Sequence, residues 1–136
     1  MYAVGGEHPL KLPSIRILEL AARSEHFFTN AEVLQELLHR FMALRRREQA
    51  RMFVEDAFTA LQDRIHEVRA EDIRAAGALA LMHGNLQARD LVHLAIMNRV
   101  GCRRVVSADK AFDAIDGTER LDPLLVDEWA PLVIDT

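Results

Sequence analysis

The chain has one cysteine, Cys102, so no disulfide can close within it, and a reducing compartment is expected. Basic residues are outnumbered: 17 Lys and Arg stand against 21 Asp and Glu, for a net charge of −4. That balance excludes a broadly basic nucleic-acid-binding surface, though not a local basic strip. No stretch approaches the roughly 20 apolar residues that span a bilayer. The opening residues Met1 to Glu7 lack the basic-then-apolar pattern of a secretory signal. Repeats, low-complexity tracts and linkers are also missing. A soluble, cytoplasmic protein without a membrane partner is expected, with residues 1–136 forming one domain large enough to bury a core.

Half of the residues are apolar, and their spacing gives a run of short elements. Tyr2-Ala3-Val4 reads as the tail of a strand broken by Gly5-Gly6. Pro9 and Pro13 bracket the entry to a helix reaching about Ala22, and Phe27-Phe28 makes a minimal strand. Thr29 with Glu32 has a capping-box pattern and predicts a helix start, with Val33, Leu34, Leu37, Leu38 and Phe41 on its apolar side. Arg45-Arg46-Arg47-Glu48 interrupts that pattern before it resumes through Met52, Phe53, Ala57, Phe58 and Leu61. Two helices in a hairpin, or one kinked helix, would explain the interruption.

Arg64 to Val68 alternates as a strand does. Glu71 and Asp72 then open a helix to about Met82, with Gly84 as a left-handed cap. A helix from about Ala88 to Val100 is followed by Gly101, a strand at Arg104 to Ser107 and a helical turn at Lys110 to Ala114. Leu121-Asp122-Pro123 and Leu132-Val133-Ile134 read as short extended segments. Strands alternating with helices imply an α/β fold with a parallel sheet, whose ligands bind at the carboxyl ends of strands. Ser107-Ala108-Asp109 occupies such an end.

Carboxylates gather in the same region. Asp90 lies in the first turn of a helix, and Asp109 and Asp113 follow a strand end. A helix start and a strand end can meet at one point in an α/β fold, where three carboxylates would repel one another unless a divalent cation neutralised them. Glu36-x-x-His39 and Asp90-x-x-His93 also have the acid–imidazole spacing of di-iron helix bundles. Such a bundle needs two more glutamate-bearing helices, for which Glu55 and Glu71 are poor candidates, and it has no place for a Ser107-x-Asp109 strand end. Cys102, after a glycine at a helix end, reads as structural, and Trp129 as part of a C-terminal packing patch.

In order along the chain, Asp90-x-x-His93-x-Ala95, Val105-Val106-Ser107-x-Asp109-x-x-Phe112-Asp113 and Arg120-Leu121-Asp122-Pro123 resemble the C-terminal half of a PIN domain of the VapC-like toxin ribonuclease type. Tyr2-Ala3-x-Gly5-Gly6-Glu7-His8-Pro9 and Thr29 to Glu36 resemble its N-terminal half. The resemblance implies a three-layer fold, a short central parallel sheet flanked by helices. It also implies a Mg²⁺- or Mn²⁺-dependent endoribonuclease that leaves a 5′-phosphate and a 3′-hydroxyl.

Catalytic, metal-binding roles fall by that resemblance to Glu36, Asp90 and Asp109, with Asp113 a further, peripheral metal ligand. Thr29 and Ser107 are expected to hydrogen-bond a metal-bound water. RNA as substrate, a cognate antitoxin and a homodimer are the implied partners, and the hairpin from Ala43 to Leu61 is the expected docking place. The family's first aspartate, at the end of the opening strand, has no counterpart before Tyr2. That leaves two readings: a chain begun at an internal methionine, or an impaired PIN-fold binding module. Val133-Ile134-Asp135-Thr136 has the pattern of the missing strand and its aspartate, against the plainer reading of a surface tail.

Overall fold

The computed structural model describes residues 8–135, so the expected Tyr2-Ala3-Val4 strand and Gly5-Gly6 break lie outside the described residues. In chain order the elements are α1 (Lys11–Arg23), β1 (Thr29–Asn30), α2 (Ala31–Ala43), α3 (Arg47–Leu61), β2 (Ile65–His66), α4 (Ala70–Leu79), α5 (Ala88–Val100), β3 (Arg104–Val106), β4 (Glu119–Leu121) and α6 (Val126–Ile134). Short 3₁₀ turns occupy Gln62–Arg64, Lys110–Ala114 and Pro123–Leu125. The chain divides into two compact units, one made of residues up to His66 together with those from Pro123 onward, the other of Glu67–Asp122. Each unit holds one two-stranded parallel sheet, β1 with β2 and β3 with β4. The α/β class with parallel pairing and flanking helices is thus what forms.

In the first unit, α2 buries Leu34, Leu37 and Phe41, spaced three and four apart as one face of a helix requires. Phe41 meets Phe53 of α3 with ring centroids 5.5 Å apart. The break between these helices is a C-terminal cap. Arg46 N–H donates to Phe41 O and Arg45 N–H to Met42 O, with Arg45 left-handed at φ 56°. Of the two readings of the Arg45-Arg46-Arg47 interruption, the hairpin of two helices forms.

The cap that starts α2 is Asn30, not Thr29: its side chain accepts from Val33 N–H at 3.1 Å, while Thr29 pairs with Ile65 in the sheet. The strand thus directly follows Phe27-Phe28, shifted by two residues from the expected position. Arg64 binds this unit together, its guanidinium donating to the carbonyls of Ala21, Ser24, Phe27 and Ala60 at 2.6–3.0 Å. The alternation read over Arg64 to Val68 yields only Ile65–His66 as strand, because Arg64 is taken up in the preceding 3₁₀ turn.

The C-terminal segment departs most from expectation. Leu132, Val133 and Ile134 are helical in α6, not extended, and this excludes a replacement strand at Val133 and Ile134. Val126, Trp129 and Ala130 are buried at helical spacing, and Asp127 and Glu128 occupy the first turn, where the helix dipole favours acids. Burial of Trp129, whose ring centroid lies 6.3 Å from that of Phe27, bears out its packing role.

In the second unit, α4 and α5 pack through Ala76, Leu91 and Ala95, while Leu94 joins Phe112 and Ile115. Helix α4 ends at Leu79, three residues earlier than its apolar pattern suggests. Residues 81–83 continue as turns that bond back to Ala78 and Leu79. Gly84 therefore lies past the helix and is not left-handed, whereas Gly101 after α5 is, at φ 75°. Leu121 ends β4, and Pro123 opens a 3₁₀ turn instead of extending the strand.

Asp72, the third residue of α4, is 2 % exposed, yet a guanidinium and a backbone amide satisfy it. Arg99 Nε and Nη2 donate to its two oxygens at 2.9 and 3.0 Å, and Arg69 N–H donates at 2.8 Å. The hydrogen bond from Arg99 holds the Asp72 carboxyl below the usual carboxylate range, against burial, which pushes it up.

Candidate active site

Asp90 is the third residue of α5, a helix whose buried residues Leu91, Leu94, Ala95, Ile96 and Met97 fix its place in the core. Its Oδ2 accepts from the backbone N–H of Gln87, the residue before the helix, at 3.2 Å. A carboxylate there caps one of the unpaired amides at the start of the helix. Asp109 follows β3, and its place is set by a chain of short bonds. Asp109 N–H donates to Ser107 Oγ at 3.0 Å, and Asp109 Oδ1 accepts from Ala111 N–H at 2.9 Å, capping the 3₁₀ turn.

Asp90 and Asp109 thus each spend one oxygen on a backbone amide. The second oxygen of each carries no hydrogen bond among the described residues. A carboxylate held by one oxygen and open at the other is a hard donor aimed in a fixed direction, which suits Mg²⁺ or Mn²⁺.

Asp113 is arranged differently. Both of its oxygens are taken by Arg120, Oδ1 by Nε at 2.8 Å and Oδ2 by Nη2 at 3.3 Å. That hydrogen-bonded guanidinium holds the Asp113 carboxyl below its ordinary value. Arg120 reaches there because β4 runs parallel to β3 with Arg120 opposite Val105, one step before Leu121 O accepts from Ser107 N–H. Among the described residues of this unit, no three His, Cys, Asp or Glu side chains gather as a ligand group.

Glu36 belongs to the other unit. It sits half-buried on α2, one residue before the buried Leu37, and Thr29 lies on β1 just ahead of that helix. Ser107 already accepts the Asp109 amide through its hydroxyl oxygen, which leaves the hydroxyl proton as a donor. Sequence reasoning missed the grip of Arg120 on Asp113. The two residues are seven apart but lie on different elements, a 3₁₀ turn and β4, so the pairing exists only through the parallel register. Cys102 is engaged structurally, with Sγ 3.2 Å from Arg104 O.

Residues 1–118 match the family model described as PIN domain. A VapC ribonuclease of Mycobacterium bovis and Ribonuclease VapC13 of Mycobacterium tuberculosis are each 38 % identical over 122 residues, 89 % of this chain and 92 % of theirs. Ribonuclease VapC23 of Mycobacterium tuberculosis is 36 % identical over 112 residues, 80 % of this chain and 86 % of its own. No solved structure matches significantly. Among the described residues no helix is long and apolar enough to cross a membrane. With the ordered acids, the parallel strand pairs and relatives aligned over most of its length, the chain belongs to the PIN domain family.

Proposed function

We propose that this protein is a metal-dependent endoribonuclease, the toxin of a toxin–antitoxin pair, acting in the cytoplasm. The observation that carries the reading is the tethering of Asp90 and Asp109, each by one oxygen to a backbone amide with the other left for a ligand. It is supported by similarity to proteins named ribonucleases over most of the chain. The two units are read as parts of one domain, because a single family match runs through both.

Glu36, Asp90 and Asp109 are the proposed ligands. Mg²⁺ or Mn²⁺ bound by them would neutralise the phosphodiester and activate water for its hydrolysis. The Gln87 amide at the start of α5 orients Asp90, and the 3₁₀ turn orients Asp109. The Ser107 hydroxyl, with Thr29 from β1, would orient water beside the acids. The Ala43–Leu61 hairpin exposes Leu44, Met52 and Phe58, each more than 40 % accessible, and these apolar side chains are where an antitoxin segment or a second copy in a homodimer would dock.

The test is cleavage of RNA by the purified protein with Mg²⁺ or Mn²⁺, with EDTA, and with Asp90→Asn. Cleavage that leaves 5′-phosphates, stops with EDTA, and falls in Asp90→Asn by more than the roughly 10–100-fold typical of losing an outer metal-site partner is the expected result. Equal cleavage by the two proteins would remove Asp90 from the mechanism.

A further inference from the structure

Arg120 is the most heavily engaged side chain near the proposed site, and no catalytic step uses it. Its side chain is only 10 % exposed, although its partner Asp113 is 54 % exposed. Besides the two bonds to Asp113, its Nη1 donates to Ser107 O at 2.9 Å and lies 3.5 Å from Asp122 Oδ2. One guanidinium therefore grips both ends of the segment from Ser107 to Asp113, and Asp109 lies between those ends.

Inside the closed segment, the Ser107 hydroxyl and the Ala111 amide fix Asp109. Arginine suits this task because its planar fork makes several directed bonds at once, where a lysine ammonium is a point charge on a flexible stem. Asp113 has both oxygens on Arg120, and it is part of no group of three His, Cys, Asp or Glu among the described residues.

We propose that Arg120 is a positioning residue for the Asp109 carboxylate, and that Asp113 serves as its counterion in a latch on the Ser107–Asp113 segment instead of as a metal ligand. The inference rests on the nuclease reading for its consequence, but the latch itself is a property of the apo protein. The two roles of Asp113 predict opposite behaviour in Arg120→Gln. A latch predicts that Arg120→Gln and Asp113→Asn both loosen the segment and weaken metal binding. A ligand role predicts that Arg120→Gln releases Asp113 to the metal and strengthens binding, while Asp113→Asn weakens it.

The experiment measures Mn²⁺ binding by electron paramagnetic resonance on the full chain, and amide hydrogen exchange of residues 107–113 without metal. The proteins are wild type, Arg120→Gln, Asp113→Asn and the double variant. Asp113→Asn alters an exposed side chain and keeps the comparison usable should Arg120→Gln fold poorly. Both singles are expected to weaken Mn²⁺ binding by about 10- to 100-fold. The double should be no worse than the poorer single, because both changes break one contact.

The Asp109 and Ala111 amides should exchange at least about tenfold faster in each variant, since the bonds that protect them depend on the closed segment. Tighter Mn²⁺ binding in Arg120→Gln, or unchanged exchange at Asp109 and Ala111 in Asp113→Asn, would overturn the latch. Wild type that binds no Mn²⁺ and cleaves no RNA would instead overturn the nuclease reading, and exchange alone would then decide on the latch.

Discussion

Replacing Arg99 by methionine should be among the costliest single changes in the second unit. Asp72 is 2 % exposed and accepts three hydrogen bonds, two of them from Arg99. Without Arg99 the carboxylate keeps only Arg69 N–H, and removing one partner of a buried pair costs about 3–5 kcal/mol. For 136 residues that corresponds to a fall in melting temperature of about 10–15 °C. The loss should shrink on acidification. Wild-type Asp72 has its carboxyl lowered, so the contribution of the pair is complete above the unfolded value of 3.8 and fades as pH falls through it toward the folded one.

In Arg99→Met, burial without the cation raises the Asp72 carboxyl. Protonation then relieves the variant over the same descent in pH. Converting both residues, Asp72→Leu with Arg99→Met, removes the buried charge and should recover all but about 1 kcal/mol, the worth of the capping bond to Arg69. The assay is urea unfolding followed by circular dichroism at pH 7 and pH 3. An Arg99→Met protein within about 1 kcal/mol of wild type, or a deficit that is the same at both pH values, would refute this account of the pair.

Two further changes probe the first unit. Arg64→Ala strips the partner from four backbone carbonyls and should cost about 3 kcal/mol, with Arg64→Lys recovering only part because one ammonium cannot serve all four; thermal unfolding of both variants checks this. Asn30→Ala removes the bond to Val33 N–H that starts α2, and a loss of about 1 kcal/mol is expected by denaturant titration, while Thr29→Ala should cost less than that because Thr29 does not cap.

Much of the local structure was legible from spacing. The stripe Leu34, Leu37 and Phe41, and the start of α5 at Ala88 and its end at Val100 before Gly101, all follow from rules that act over a few residues. The ordered acids gave the family on the same footing. Misreadings cluster where a local pattern had two outcomes. Thr29 and Asn30 are both good caps, and the length of β1, which runs through Asn30 and puts the first helical residue at Ala31, decided between them. Leu132-Val133-Ile134 is an apolar run that suits strand or helix, and burial of Val126, Trp129 and Ala130 on one face decided for helix.

By itself, then, the sequence determined the α/β class, the start of α5 and which carboxylates stand beside a strand end or a helix N-terminus, because each depends on neighbours close in the chain. Only the tertiary structure decided the partners of those charges. Arg99 meets Asp72 from 27 positions away, and the parallel register of β3 with β4 turns Arg120 onto Asp113 and Ser107. No short-range pattern encodes which cation a given carboxylate meets, and that choice separates a carboxylate open to a ligand from one already held by an arginine.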